Sequence, residues 1–166
     1  NIEDFARNNN AITSDFHSTL AFVLVKQFDT GYAFFSFSVG DCPIALVNKS
    51  FTDVKVLNKL DVGEYGGGTR FITMPEIFSK DDFDERFNFE FTEEQPYLVL
   101  MSDGIYDPKF EVEANLRKPD KWKDFFDDLR SESDKADIFT SLDEFDSWMD
   151  FWSPGNHDDR TLIIWS

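Results

Sequence analysis

The residues with the clearest potential for chemistry are two aspartates that follow an apolar run. Residues 97–101 are continuously apolar, a pattern typical of a strand buried on both faces. Asp103 and Gly104 follow this run closely, and glycine permits a sharp turn or the close approach of a ligand. If a helical turn begins there, Asp103 and Asp107 are spaced i and i+4, so their side chains lie on one face about 5–6 Å apart.

This pair of carboxylates has two interpretations. Carboxylates this close repel each other unless a proton or a cation lies between them, and Mg²⁺ prefers oxygen ligands of this kind. The alternative is a strand end followed by a turn, with Asp103 exposed to solvent. The segment alone leaves both interpretations open.

Composition and charge limit the classes of protein to which the chain can belong. Of its 166 residues 41% are hydrophobic and 17% are aromatic, so we expect one globular domain over residues 1–166. The formal net charge of −17 argues against a nucleic acid or an anionic membrane as partner. The single cysteine, Cys42, excludes an internal disulfide and fits a reducing compartment, so we expect a cytoplasmic protein.

The first two thirds of the chain have the pattern of short strands. Residues 19–27 and 32–39 are rich in β-forming residues, and the turn Asp29-Thr30-Gly31 between them predicts a hairpin. Further strands are predicted at residues 43–47, 54–57, 70–74 and 86–91. Several short strands with close turns are typical of antiparallel sheets.

Two segments between these strands could suggest ligand binding, but they favour other interpretations. The glycine-rich residues 60–69 have no lysine at the spacing of a phosphate-binding loop, so a demanding turn is predicted. The acidic run 81–85 lacks the spacing of a calcium loop and is interpreted as a solvated face.

The last third changes to a helical period. Trp122, Phe125, Phe126 and Leu129 are spaced i, i+3, i+4 and i+7, which predicts a helix with one apolar face. Ser141 and Glu144 form a capping box for a second helix, whose stripe runs from Leu142 to Trp152. Residues 119–152 are therefore predicted to form a helical layer, and residues 161–165 a terminal strand. The resulting fold class is α+β.

Four segments read together resemble a known family. Residues 38–43 (Ser-Val-Gly-Asp-Cys-Pro), 63–73, 102–107 (Ser-Asp-Gly-Ile-Tyr-Asp) and 158–164 (Asp-Asp-Arg-Thr-Leu-Ile-Ile) resemble, in order and spacing, the metal-dependent protein phosphatases of the type 2C or PPM-type serine/threonine family. The resemblance covers residues 15–165. It implies an antiparallel β-sandwich flanked by α-helices.

The resemblance also implies a site and a chemistry. Asp103 and Asp158 correspond to ligands of a pair of Mg²⁺ or Mn²⁺ ions, and Asp41, Asp103 and Asp107 to the ligands of a further, weaker ion. Two or three such ions would serve the hydrolysis of a phosphorylated protein by an activated water. No cysteine or serine nucleophile is needed. His17 and His157 are predicted to be structural or solvated.

The chain departs from the family at its beginning. The family's first third carries a phosphate-binding arginine, an acidic pair and an Asp-Gly segment whose aspartate bridges both metals, and none of these is present here. We therefore expect the 166 residues alone to be inactive and the missing part to exist in a longer parent protein. The alternatives are a non-catalytic phosphatase-like interaction domain and an acidic cation-binding module unrelated to phosphatases.

Overall fold

The computed structural model describes residues 1–61, 68–130, 142–151 and 158–166. Some predictions concern residues that the structure does not describe. These are Ser141, the side chain of Leu142, Trp152, His157 and most of the glycine-rich loop. The chain divides into two compact units, one of residues 1–44 and 57–95 and the other of residues 45–56 and 96–166.

Seven strands and five α-helices are found in the part of the chain that the structure describes. The strands are β1 (Leu20–Phe28), β2 (Gly31–Val39), β3 (Ile44–Val47), β4 (Val54–Val56), β5 (Phe87–Thr92), β6 (Tyr97–Met101) and β7 (Leu162–Trp165). The helices are α1 (Ile2–Asn8), α2 (Lys80–Asp84), α3 (Asp103–Phe110), α4 (Pro119–Asp128) and α5 (Leu142–Met149).

The first unit is built on a three-stranded antiparallel sheet with the order β1-β2-β5. The predicted hairpin is confirmed, with Phe28 paired to Gly31 across the turn. Gly31 has a φ of +148°, and a Cβ there would lie 2.2 Å from the backbone oxygen of Thr92, so a glycine is needed at this position. Local turn chemistry therefore sets the register of the sheet.

The core of the first unit lies beside β2. Phe37, Val39 and Ile77 form a buried cluster, and Phe83 and Phe87 pack against it. Because Phe83 belongs to α2, the acidic run does more than present the solvated face that its charges predict.

The prediction of a strand over residues 70–74 is wrong. Met74 N–H donates to the backbone oxygen of Phe71, which closes a turn, and a 3₁₀ helix (Pro75–Phe78) follows directly. Ile72 N–H donates to the oxygen of Ser18 as a single bond without a ladder. The apolar residues of this segment are packed by the core rather than paired in a sheet.

The second unit is built on a four-stranded sheet with the order β4-β3-β6-β7. β3 pairs with β4 and β6 pairs with β7, both antiparallel. In β6, Leu98, Val99 and Met101 are buried, as the continuous apolar run predicted. β6 is thus an interior strand, and its last residue leads directly to the candidate site.

The helices of the second unit pack through aromatic side chains. The four apolar positions predicted for α4 are all buried. Trp122 of α4 packs against Phe110 at the end of α3, with ring centroids 4.6 Å apart and the rings tilted by 50°, and its Nε1 donates to the oxygen of Leu116 at 2.7 Å. Trp148 of α5 meets Phe125 edge-on at 6.0 Å. These contacts fix α3 by its C-terminal end.

The fold is mixed α+β, with antiparallel strand pairs and helices, as predicted. The face-to-face packing of the two sheets and the assignment of the chain to a single domain remain predictions. Among the described residues, no helix is long and apolar enough to cross a membrane.

Candidate metal centre

The candidate site in the second unit lies where β6 ends and α3 begins. Ser102 is in an extended conformation, with ψ at 166°, and α3 begins at Asp103. The positive end of the helix dipole favours a carboxylate at this first position. Asp103 Oδ1 accepts a hydrogen bond from Gly104 N–H at 2.8 Å, which holds this carboxylate beside the helix terminus.

Ser102 joins this helix start to the segment that precedes β7. Its N–H donates to Thr161 O at 3.0 Å, and its Oγ accepts from Thr161 N–H at 3.0 Å and donates to Asp159 O at 3.1 Å. This role of Ser102 was not predicted from the sequence. A polar residue directly after an apolar strand was its only signal.

Gly104 allows the two segments to come close. A Cβ at this position would lie 2.4 Å from Asp159 O, closer than real Cβ atoms approach, and 3.0 Å from Asp158 O, which is a tight contact. The requirement here is space rather than an unusual backbone angle. The structure therefore brings the segment of Asp158 against the start of α3, where Asp103 lies.

The predicted metal ligands fall in two places. Asp103, Asp107 and Asp158 belong to the second unit, and Asp107 lies one turn after Asp103 on α3. Asp158 Oδ1 accepts from Asp159 N–H at 3.2 Å. Asp41 belongs to the first unit, where it follows β2 and its Oδ2 accepts from Thr69 Oγ1 at 2.6 Å.

The electrostatics at α3 reflect this concentration of carboxylates. Burial, together with the negative charges of Asp107 and Glu113, raises the pKa of Tyr106 to about 12. The donor set of Asp103, Asp107 and Asp158 consists of hard oxygen atoms, which suits Mg²⁺ or Mn²⁺. Within the described ranges, however, no three histidine, cysteine, aspartate or glutamate side chains are grouped closely enough to hold a metal ion.

Of the two histidines, His17 alone belongs to the described part of the chain. His17 is in the first unit, where its Nδ1 is 2.6 Å from Thr73 Oγ1 and its ring stacks on Phe71 with centroids 4.8 Å apart. These contacts suit a structural side chain.

The first unit contains a polar cavity of about 270 Å³ around Arg86. All five N–H donors of Arg86 are used, by two bonds each to Asp61 and Asp82 and one to Ser38 O. Burial raises the pKa of Asp82, but hydrogen bonds and charges from Arg86 and Arg70 outweigh it, so the net pKa is lowered. Arg86 is thus committed to carboxylates of the same unit and has no donor left to bind a phosphate.

The solved structures that the chain resembles include two structures of one bacterial protein. The Mn-presoaked phosphatase domain of the cell fate determinant SpoIIE from Bacillus subtilis is 17% identical with a TM-score of 0.43, over 89% of this chain and 55% of that one. A second structure of that domain is 17% identical with a TM-score of 0.42, over 98% and 65%. The chain therefore spans 55–65% of the length of these structures.

Comparison with families is decisive. No curated protein matches the chain. The family model described as protein phosphatase 2C matches residues 2–145, which is most of the sequence. This match rules out the alternative of an acidic module unrelated to phosphatases. The chain belongs to the protein phosphatase 2C family.

Proposed function

We propose that this chain is the metal-binding part of a Mg²⁺- or Mn²⁺-dependent phosphatase that hydrolyses phosphoserine or phosphothreonine in proteins. The observation that carries the proposal is the closure of the Asp158 segment onto the start of α3, through Ser102 and Gly104. This closure brings together two segments of the second unit that are far apart in the sequence, and each segment carries a candidate ligand.

The residues have separate roles in this proposal. Asp103 and Asp158 would hold the metal pair, while Asp107 would join Asp103 in holding a further ion. Bound ions of this kind would supply an activated water and neutralise the charge of the phosphoryl oxygens. Ser102 and Gly104 would not touch substrate but would keep the two ligand-bearing segments together.

The activity of the whole protein is also a proposal, because the chain spans only 55–65% of the matched structures. We expect a complete site to need the acidic and Asp-Gly segments of the family, carried outside these 166 residues. A phosphorylated protein is the substrate class that family membership favours. A cytoplasmic location remains a prediction from the single cysteine.

A second candidate function is a non-catalytic phosphatase-like interaction domain. The observation that favours it is that the described residues include no group of three metal-ligating side chains close enough to hold an ion. In this case the acidic surface would dock a partner, and Mn²⁺ would bind no more tightly than to other surface carboxylates.

Mn²⁺ binding separates the two candidates. Free Mn²⁺ is measured by electron paramagnetic resonance in titrations of the native chain, the Asp103→Asn variant and the Asp124→Asn variant. Asp124 is exposed on α4 and serves as the control because it also removes one negative charge. The phosphatase proposal expects a site that Asp103→Asn weakens at least about tenfold and Asp124→Asn leaves unchanged.

Hydrolysis of an aryl phosphate with Mn²⁺ then tests the enzymatic part. The proposal expects activity from a longer parent protein and its loss in the Asp103→Asn variant of that protein. Equal Mn²⁺ binding by the native and Asp103→Asn chains would instead favour the interaction domain.

A further inference from the structure

The two segments that carry candidate ligands in the second unit are both attached to the end of α5. Arg160 lies two residues after Asp158, and Lys109 lies two residues after Asp107 on α3. Arg160 Cζ is 4.1 Å and Lys109 Nζ is 4.2 Å from the centroid of the Phe151 ring. A single aromatic ring therefore contacts cations from both segments.

Each cation has further contacts that direct it to this place. Arg160 Nη1 donates to the backbone oxygen of Met149, the last residue of α5, at 2.5 Å. This carbonyl lies at the negative end of the helix, where it has no partner from the next turn of α5. The buried Nε of Arg160 has no hydrogen-bond partner among the described residues.

Lys109 is held in the same way from the other side. Its Nζ lies 2.5 Å from Asp128 Oδ2, at the end of α4, and 4.9 Å from the centroid of the Trp148 ring. Trp148 Nε1 donates to the same oxygen of Asp128 at 3.0 Å. Lys109 is only 21% exposed, so these contacts replace most of the water around its charge.

We infer that Phe151 is a positioning residue that fixes the separation between the candidate ligands Asp103 and Asp158. Its ring binds Lys109 and Arg160 through cation–π contacts, and each cation carries its own segment to the same point. The hydrogen bonds of Ser102 join the two segments at one place, and Phe151 joins them at a second. Two attachments restrict both distance and rotation, whereas a single attachment leaves a hinge.

The inference rests on the proposed metal site for its functional meaning, but its geometry can be tested without metal. The amide hydrogens of Ser102 and Thr161 bridge the two segments, so their exchange with solvent reports how often the segments separate. Phe151→Leu keeps an apolar side chain but removes the ring that attracts the cations. Phe151→Trp keeps an aromatic face and is the rescue variant.

We expect Phe151→Leu to accelerate exchange at Ser102 and Thr161 at least about tenfold relative to Val99 in the middle of β6, with Phe151→Trp close to native. The control is Phe51→Leu, which removes a ring that packs against Tyr97 in the same unit. A structural role alone would accelerate exchange at Val99 as much as at Ser102 and Thr161. Either that pattern or unchanged exchange in Phe151→Leu would overturn the inference.

Mn²⁺ titration of the same variants keeps the inference distinct from the proposed function. If the native chain binds Mn²⁺ through Asp103, we expect Phe151→Leu to weaken binding by about tenfold and Phe151→Trp to restore it. If native and Asp103→Asn chains bind equally, the proposed metal site fails, while the exchange data still decide whether Phe151 positions the two segments.

Discussion

Replacement of Gly104 by alanine tests the closure on which the candidate site depends. An added Cβ would lie 2.4 Å from Asp159 O, 3.0 Å from Asp158 O and 3.1 Å from Asp159 C. All three are backbone atoms and cannot rotate away as a flexible side chain could. The loop before β7 must therefore move for the variant to fold, and it carries Asp158 with it.

The expected magnitude follows from two opposing terms. Overpacking of this kind costs about 1–3 kcal/mol, and the rigid backbone places this site towards the upper part of that range. Alanine in a helix gains about 0.5–1 kcal/mol over glycine, and Gly104 is the second residue of α3. We expect a net loss of about 1–2 kcal/mol in the free energy of unfolding.

Urea unfolding followed by tryptophan fluorescence is the appropriate assay. All four tryptophans, Trp122, Trp148, Trp152 and Trp165, belong to the second unit, so fluorescence reports on the unit that contains Gly104. Ser147→Ala, at an exposed position of α5, is the control and should stabilise by a few tenths of a kcal/mol. A Gly104→Ala variant that is as stable as the native protein, or more stable, would refute the close approach and the closure argument with it.

Three further predictions concern other contacts. Arg86→Lys retains the charge but supplies three donors in place of five. Unfolding followed by circular dichroism should show a loss of about 1–3 kcal/mol in the free energy of unfolding, and unchanged stability would contradict the network. Glu111 (φ 66°, ψ −44°) is the centre of a strained turn closed by Val112 N–H to Phe110 O at 2.7 Å, so Glu111→Gly should stabilise by about 1 kcal/mol in urea unfolding; a loss would refute the strain. The pKa of Asp82 is lowered in the folded state, so its ionised form stabilises the fold. This contribution to stability is complete above about pH 5 and is lost as pH falls below about 4. In acid titrations followed by circular dichroism, Asp82→Asn should therefore reduce the loss of stability at low pH. An unchanged loss of stability at low pH would show that Asp82 is not its source.

The elements that the sequence predicted are those in which neighbouring residues supply both the pattern and the contacts. The hairpin of β1 and β2 follows from Asp29-Thr30-Gly31, because Phe28 pairs with Gly31 directly across this turn. The four buried positions of α4 follow from a helical period that needs only one apolar side. The spacing of Asp103 and Asp107 belongs to the same class, because i and i+4 share a helix face wherever the helix lies.

The wrong prediction at residues 70–74 has the opposite origin. Its apolar residues have the composition of a strand, but no strand of the described residues pairs with it, and Ile72 donates a single bond to Ser18 far away in the sequence. The acidic run was likewise interpreted from its own residues, whereas Arg86 and Arg70 determine the environment of Asp82. Composition describes what a segment can form, and its partners decide what it does form.

The sequence by itself therefore determined the helix and strand periods, the α+β class, the acidic character and, through four short segments, the protein phosphatase 2C family. Only the tertiary structure decided that the segment of Asp158 closes onto Asp103. That closure depends on hydrogen bonds between Ser102 and Thr161, 59 positions apart, and on a missing Cβ at Gly104. The physical reason is that periodicity encodes which side of an element is apolar, while the distance between two loops depends on every contact that holds their elements together.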